Sequence, residues 1–163
     1  MPSFDIVSKT DMQKIDNAIN TAKKELINRY DLKDETCEID LDKSAKLVKL
    51  AAKQDMAIKT LVDIVLSKFS KQQLDVRTLD LSKDTRPSGK LVLKDLPIKD
   101  GIEKETAKKI VSFIKETRMK VQASIMDDQV RVTAKQIDDL QDMIAKLRDK
   151  DFEIPLQFEN MRS

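Results

Sequence analysis

Two short alternating stretches in the C-terminal half hold the residues best suited to chemistry. Lys120, Gln122 and Ser124 take every second position of one stretch, with Val121, Ala123 and Ile125 between them. Arg131, Thr133 and Lys135 take every second position of the other, around Val130 and Val132. On a pleated strand, alternate side chains share a face. One face is then apolar, while the other carries cations for phosphate and amide and hydroxyl groups for base or ribose edges. The candidate nucleotide-binding set is Lys120, Gln122, Arg131, Thr133 and Lys135. Gln157 extends it, as do Ser3 and Asp5 if the first strand lies in the same sheet. The same alternation also describes an ordinary antiparallel sheet with one packed and one solvated face.

A second basic cluster, Lys108, Lys109, Lys115, Arg118 and Lys120, runs along a helix and its exit. It reads either as a solvated helix face with cations near the C-terminus or, for Lys115 and Arg118, as an extension of the sheet patch. RNA-recognition modules of strand-rich design stack bases on sheet-face aromatics, and the alternation puts none here. Phe4 and Phe158 fall in apolar phase and read as core anchors. Cys37 alternates with apolar neighbours and reads as core.

Catalytic chemistry is poorly represented. The chain has no histidine, one cysteine and two glycines. Histidine-based triads and metal sites, a cysteine zinc site, a Walker loop and a dinucleotide-binding glycine turn are all excluded. The carboxylate pairs Asp127-Asp128 and Asp138-Asp139 read as turn and helix-cap residues. A non-catalytic binding protein without a cofactor is expected.

The elements that position these residues occur twice. Strand 3–8 precedes a helix that starts at Thr10-Asp11-Met12 and ends near Tyr30-Asp31, with Ile15, Ala18, Ile19, Ala22 and Leu26 at helical spacing. Strands over 37–41 and 46–52 flank a turn at Asp42-Lys43-Ser44. A helix over about 55–70 follows, and Leu74 to Leu81 is expected as a closing strand. Asp84 to Gly89 is polar, contains Pro87 and one of the two glycines, and reads as the linker. The second half begins with a strand from Leu91 and a helix over about 103–118. The stretches around Val121 and Val130 follow, then a helix from Asp138 and a strand from Pro155 to Asn160. The order βαββαβ, repeated, predicts an α+β chain of two ferredoxin-like modules. Each has an antiparallel sheet with helices on one face, leaving the other face open.

Composition sets the class. Hydrophobic residues make up 40% and charged residues 37% of 163 residues, which excludes a mostly disordered chain and a membrane protein. Basic and acidic residues number 31 and 29, so the net charge is +2 and any binding to nucleic acid must use a local patch. A single cysteine points to a reducing compartment. The opening Met1-Pro2-Ser3-Phe4-Asp5 lacks a basic start and an apolar h-region. The expectation is a cytoplasmic protein with no membrane partner.

Several ordered blocks resemble the bacterial YajQ family. They are Met1 to Ser8, Gly101-Ile102-Glu103, Lys108 to Val111, Lys120 to Ala123, Val130 to Thr133 with Lys135, Asp138 to Gln141, and Pro155 to Asn160 with Arg162. The resemblance implies that the two modules exchange their N-terminal strands. The first module then comprises 10–86 with strand 90–96, and the second 101–163 with strand 1–9. It also implies a nucleotide ligand, with cyclic di-GMP, GTP and ATP as candidates, no enzymatic activity, and in some members a transcription regulator as partner. RNA or tRNA binding, and a protein adaptor without a small ligand, are the alternatives. Ala134 stands where the family block has Gly, which predicts a methyl group that crowds any ligand or backbone approaching there.

Overall fold

The structure, a computed structural model, describes residues 1–29 and 36–163. The first half comprises β1 (Ser3–Val7), α1 (Met12–Asn28), β2 (Glu38–Asp42), β3 (Leu47–Ala52), α2 (Asp55–Lys71), β4 (Arg86–Ser88) and β5 (Leu91–Pro97). The second comprises α3 (Lys104–Glu116), β6 (Val121–Met126), β7 (Gln129–Ala134), α4 (Ile137–Asp149) and β8 (Gln157–Arg162). These strands form two four-stranded antiparallel sheets with the orders β6-β7-β1-β8 and β2-β3-β5-β4. The plan is the same in both: a hairpin, then a strand from a distant part of the chain, then an edge strand. β1 pairs with β7 and β8, while β5 pairs with β3 and β4, so the strand exchange is present. The fold is α+β, two ferredoxin-like modules. The chain divides into two compact units, Met1–Thr10 with Asp100–Ser163, and Asp11–Lys99.

Each unit buries its own core. In the first, Phe4, Ile6, Val130, Val132 and Ala134 from the strands meet Ala107, Ile110 and Ile114 of α3 and Leu140, Met143 and Leu147 of α4. In the other, Ile39, Val48, Leu50 and Leu96 meet Ile15 and Ile19 of α1 and Ile58, Leu61 and Phe69 of α2. The spacing of three and four residues lays these side chains along one stripe of each helix. Asp11 starts α1 as its side chain accepts from the N–H groups of Gln13 and Lys14, at 3.0 and 3.3 Å. The expected helix end at Tyr30-Asp31 lies outside the described residues.

Two expectations in the middle of the chain are corrected. Leu74 to Leu81 does not form a strand. Val76–Thr78 is a 3-10 turn, and Leu79 makes an isolated bridge to Ile98. The cause is local: the Asp75 carboxylate accepts from the Arg77 backbone N–H at 2.9 Å and from its Nη2 at 2.7 Å. Such bonds offer the backbone an alternative to a sheet ladder. The closing strand is instead β4, inside the stretch expected as a linker. Pro87 is tolerated there because β4 lies at the sheet edge, and Gly89, at φ 61°, turns the chain into β5.

Candidate functional site

The open face of the β6-β7-β1-β8 sheet is built in cross-strand rows. Gln122 pairs with Thr133, Thr133 with Ser3, and Ser3 with Arg162. In the next row Ser124 pairs with Arg131, Arg131 with Asp5, and Asp5 with Glu159. Lys120 and Lys135 each lie one residue beyond the Val121–Ala134 pair, in bends just past the ends of the two strands. Gln122, Thr133 and Arg131 thus share one face at the β6–β7 side of the sheet, with Lys120 and Lys135 exposed at its end. The intervening row Ala123, Val132 and Phe4 points into the core.

Arg131 is not the solvated side chain that alternation implies. Its Nε donates to Asp5 Oδ1 at 2.9 Å, and its Nη2 approaches Asp5 Oδ2 at 3.5 Å. Asp5 is only 4% exposed, although it sits on the open face. Asn160 Nδ2 also donates to Asp5 Oδ2, at 2.9 Å. The hydrogen bond from Arg131 holds the Asp5 carboxyl below its usual range; the Asn160 bond and the charges of Arg131 and Arg162 act in the same sense, against the effect of burial. The same pairing raises the Arg131 guanidinium. At the far edge Lys9 Nζ bonds Glu159 Oε1 at 2.7 Å, which raises the lysine.

Asn160 and Arg162 join the face through an irregularity. Ser3 pairs with Arg162 and Asp5 with Glu159, so β8 carries one residue more than β1 over this interval. This β-bulge shifts the alternation of β8 and places Arg162 beside Ser3. Asn160 sits in the bulge at φ 58°, a conformation that Asn adopts more readily than most residues. Simple alternation over Pro155 to Asn160 could not reveal it; the sequence offers only an Asn, a residue that tolerates the left-handed conformation.

Within the strands the face is balanced, Asp5 and Glu159 against Arg131 and Arg162, and Lys9, Lys120 and Lys135 past the strand ends add positive charge at its rim. Asp5 and Glu159 form ion pairs with Arg131 and Lys9, whereas Lys120, Lys135 and Arg162 have no carboxylate partner among the described residues. The sheet of the other unit has the same strand order, but its strands carry an acidic excess. Its open face presents Glu38, Asp40, Asp42 and Asp95 against Lys49 and Arg86. Arg86 is bound to Asp95 at 2.6 Å and Lys49 to Asp42 at 3.7 Å.

The remaining basic residues group elsewhere. Lys108 and Lys109 line a groove of about 460 Å³ between α3 and residues 150–153, over the edge-to-face pair Phe113 and Phe152. They do not join the sheet-face residues. Phe4 and Phe158 stack edge to face at 5.9 Å, Phe4 fully buried, so the open face has no stacking platform from them. Cys37 is half-buried and packs against the core of its unit. No group of three or more metal-ligating side chains occurs among the described residues, and none of their helices is long and apolar enough to cross a membrane.

The chain matches the family described as nucleotide-binding protein YajQ-like over residues 2–162. A protein of Cytophaga hutchinsonii named as a nucleotide-binding protein is 51% identical over 162 residues, covering 99% of this chain and 100% of the relative. One of Oleidesulfovibrio alaskensis with the same name is 48% identical over 163 residues, covering all of both chains. A third, from Nitratidesulfovibrio vulgaris, is 44% identical over the full length of both. With matches of that extent, the chain belongs to the YajQ-like nucleotide-binding protein family.

Proposed function

We propose that this protein binds a nucleotide, without catalysis, on the open face of the β6-β7-β1-β8 sheet. The observation that carries the reading is the contrast between its two sheets. They share one strand order, yet the strands of this one balance two carboxylates with two arginines and have three lysines at their ends, whereas those of the other carry four carboxylates against two cations. A phosphate is drawn to such a face, and Lys120, Lys135 and Arg131 supply charge-assisted donors for it. Gln122 and Thr133, paired directly across β6 and β7, orient the ligand through an amide and a hydroxyl. The names of the relatives point the same way. The absence of histidine from the sequence favours binding over acid–base chemistry. The finer reading, a cyclic di-GMP receptor working with a transcription regulator, rests on the family resemblance.

Titration calorimetry with cyclic di-GMP, GTP and ATP tests it. Saturable binding of at least one, weakened by Lys120→Ala or Lys135→Ala and unaffected by Lys24→Ala on α1, is the expected result. No binding up to about 1 mM, where an interaction contributes only ~4 kcal/mol, would overturn the reading. Binding of single-stranded RNA or tRNA that falls steeply with salt, with no nucleotide heat, would replace it by a nucleic-acid role.

A further inference from the structure

A hydrogen-bonded chain crosses three strands of the sheet. Arg131 on β7 donates to Asp5 on β1, and Asn160 on β8 donates to the same carboxylate. Arg162 Nε then donates to Asn160 Oδ1 at 3.4 Å. Two guanidinium groups are thus tied to one nearly buried carboxylate, one directly and one through an amide. We propose that Asp5 and Asn160 are positioning residues, which hold Arg131 and Arg162 as a pre-set pair for the phosphate of the ligand. The inference rests on the sheet-face reading above.

The geometry explains why a carboxylate sits inside an anion-binding face. A guanidinium has five N–H donors in a rigid fork. Asp5 engages Arg131 through Nε and Nη2, leaving the other donors without a protein partner among the described residues. Arg131 remains 34% exposed in its side chain, so those donors reach the open face. A free arginine must give up rotamer freedom when it grips a ligand, whereas a clamped one has already done so. The bulge at Asn160 serves the same end, because it brings the amide to Asp5 and Arg162 level with Ser3.

The test turns on a sign. Asp5→Asn removes a negative charge from an anion site, so charge alone predicts tighter binding. Positioning predicts weaker binding, by roughly tenfold, by analogy with the loss of metal affinity when a group that orients a metal ligand is removed. The measurement is calorimetric affinity for cyclic di-GMP, GTP and ATP, with a thermal melt of each variant to establish that it is folded. In an Arg131→Lys background, where only Arg162 is left to orient, through Asn160, Asp5→Asn should weaken binding by less than it does in the parent, as a double-mutant cycle reads coupling. Asn160→Gly keeps the left-handed backbone, removes the amide, and should bind a few-fold more weakly than the parent; it decides the matter if Asp5→Asn fails to fold. Unchanged or tighter binding by Asp5→Asn overturns the inference, as does equal weakening in both backgrounds. Parent-like binding by Lys120→Ala, Lys135→Ala and Arg131→Lys together would instead overturn the sheet-face reading itself.

Discussion

Ala134 lies directly opposite Val121 in the β6–β7 ladder, with its methyl group in the core rather than on the open face. It is 2% exposed, and its N–H donates to the Pro2 carbonyl at 3.1 Å. This methyl group therefore does not narrow the candidate site. Ala134→Gly should leave the affinity for cyclic di-GMP, GTP and ATP unchanged. It should also destabilise the protein by about 1 kcal/mol, since glycine in a strand costs backbone entropy and loses a buried methyl. Calorimetry and urea unfolding of the same preparation check both halves.

Most of this fold was legible because its strands alternate cleanly and its helices carry narrow apolar stripes. Gln122, Thr133, Arg131 and Ser124 fell on one face by period alone. Three features were not legible, each for a physical reason. The β4 edge strand has only three residues, too few for a period, and its Pro87 and neighbouring Gly89 resemble a linker. The Asp75–Arg77 bonds that end the 74–81 stretch as a turn depend on side-chain geometry that composition does not display. The bulge of β8 changes the phase of the strand in mid-course, so Asn160 and Arg162 could not be placed by counting. The exchange of strands came from the family resemblance, since alternation says which face a residue takes and never which sheet.

Gly101 is held at φ 85°, and a Cβ added there would lie 2.9 Å from Asp128 Oδ2. The turn is also pinned from both sides, as Gly101 N–H donates to the Ser8 carbonyl at 2.7 Å and Ile102 N–H to the Asp128 carbonyl at 2.9 Å. Gly101→Ala should destabilise the protein by about 1–2 kcal/mol, the cost of a left-handed conformation for a residue with a Cβ. Part of the steric term is relieved because the Asp128 side chain can rotate away. A midpoint shift in urea unfolding with an unchanged slope is the expected record.

Asp5 predicts a particular acid response. Its carboxyl titrates below the usual range in the folded protein, chiefly through the Arg131 hydrogen bond. A depressed folded pKa means that the unfolded chain takes up the proton first as the pH falls. The stabilisation is fully present above the unfolded value of about 3.9 and is lost as the pH drops through the lower folded value. The parent should therefore lose stability more steeply below about pH 4 than Asp5→Asn, which cannot titrate there. Urea unfolding midpoints of the two proteins between neutral and acid pH give the comparison, and parallel curves would exclude a stabilising role for the ionised carboxylate.

Arg131 and Lys135 should separate stability from binding. Arg131 faces outward from β7 and Lys135 lies exposed just past its end, but only Arg131 is tied to a nearly buried carboxylate. Lys135→Ala removes an exposed charge with no ion-pair partner among the described residues, and substitutions of that kind leave stability almost unchanged. Its affinity for a nucleotide should still fall, and the salt dependence of that affinity should become shallower as one phosphate contact is lost. Arg131→Ala should weaken binding too, but it leaves Asp5 with Asn160 as its remaining side-chain hydrogen-bond donor and with the favourable charge of Arg162. Its melting temperature should then drop by roughly 5 °C. In the double variant Asp5→Asn with Arg131→Ala no unpaired carboxylate remains, so part of that loss should be recovered, because removing both partners costs less than orphaning one. Recovery of stability without recovery of affinity is the expected pattern. A double variant less stable than Arg131→Ala alone would show that Asp5 holds the sheet together by contacts other than this ion pair.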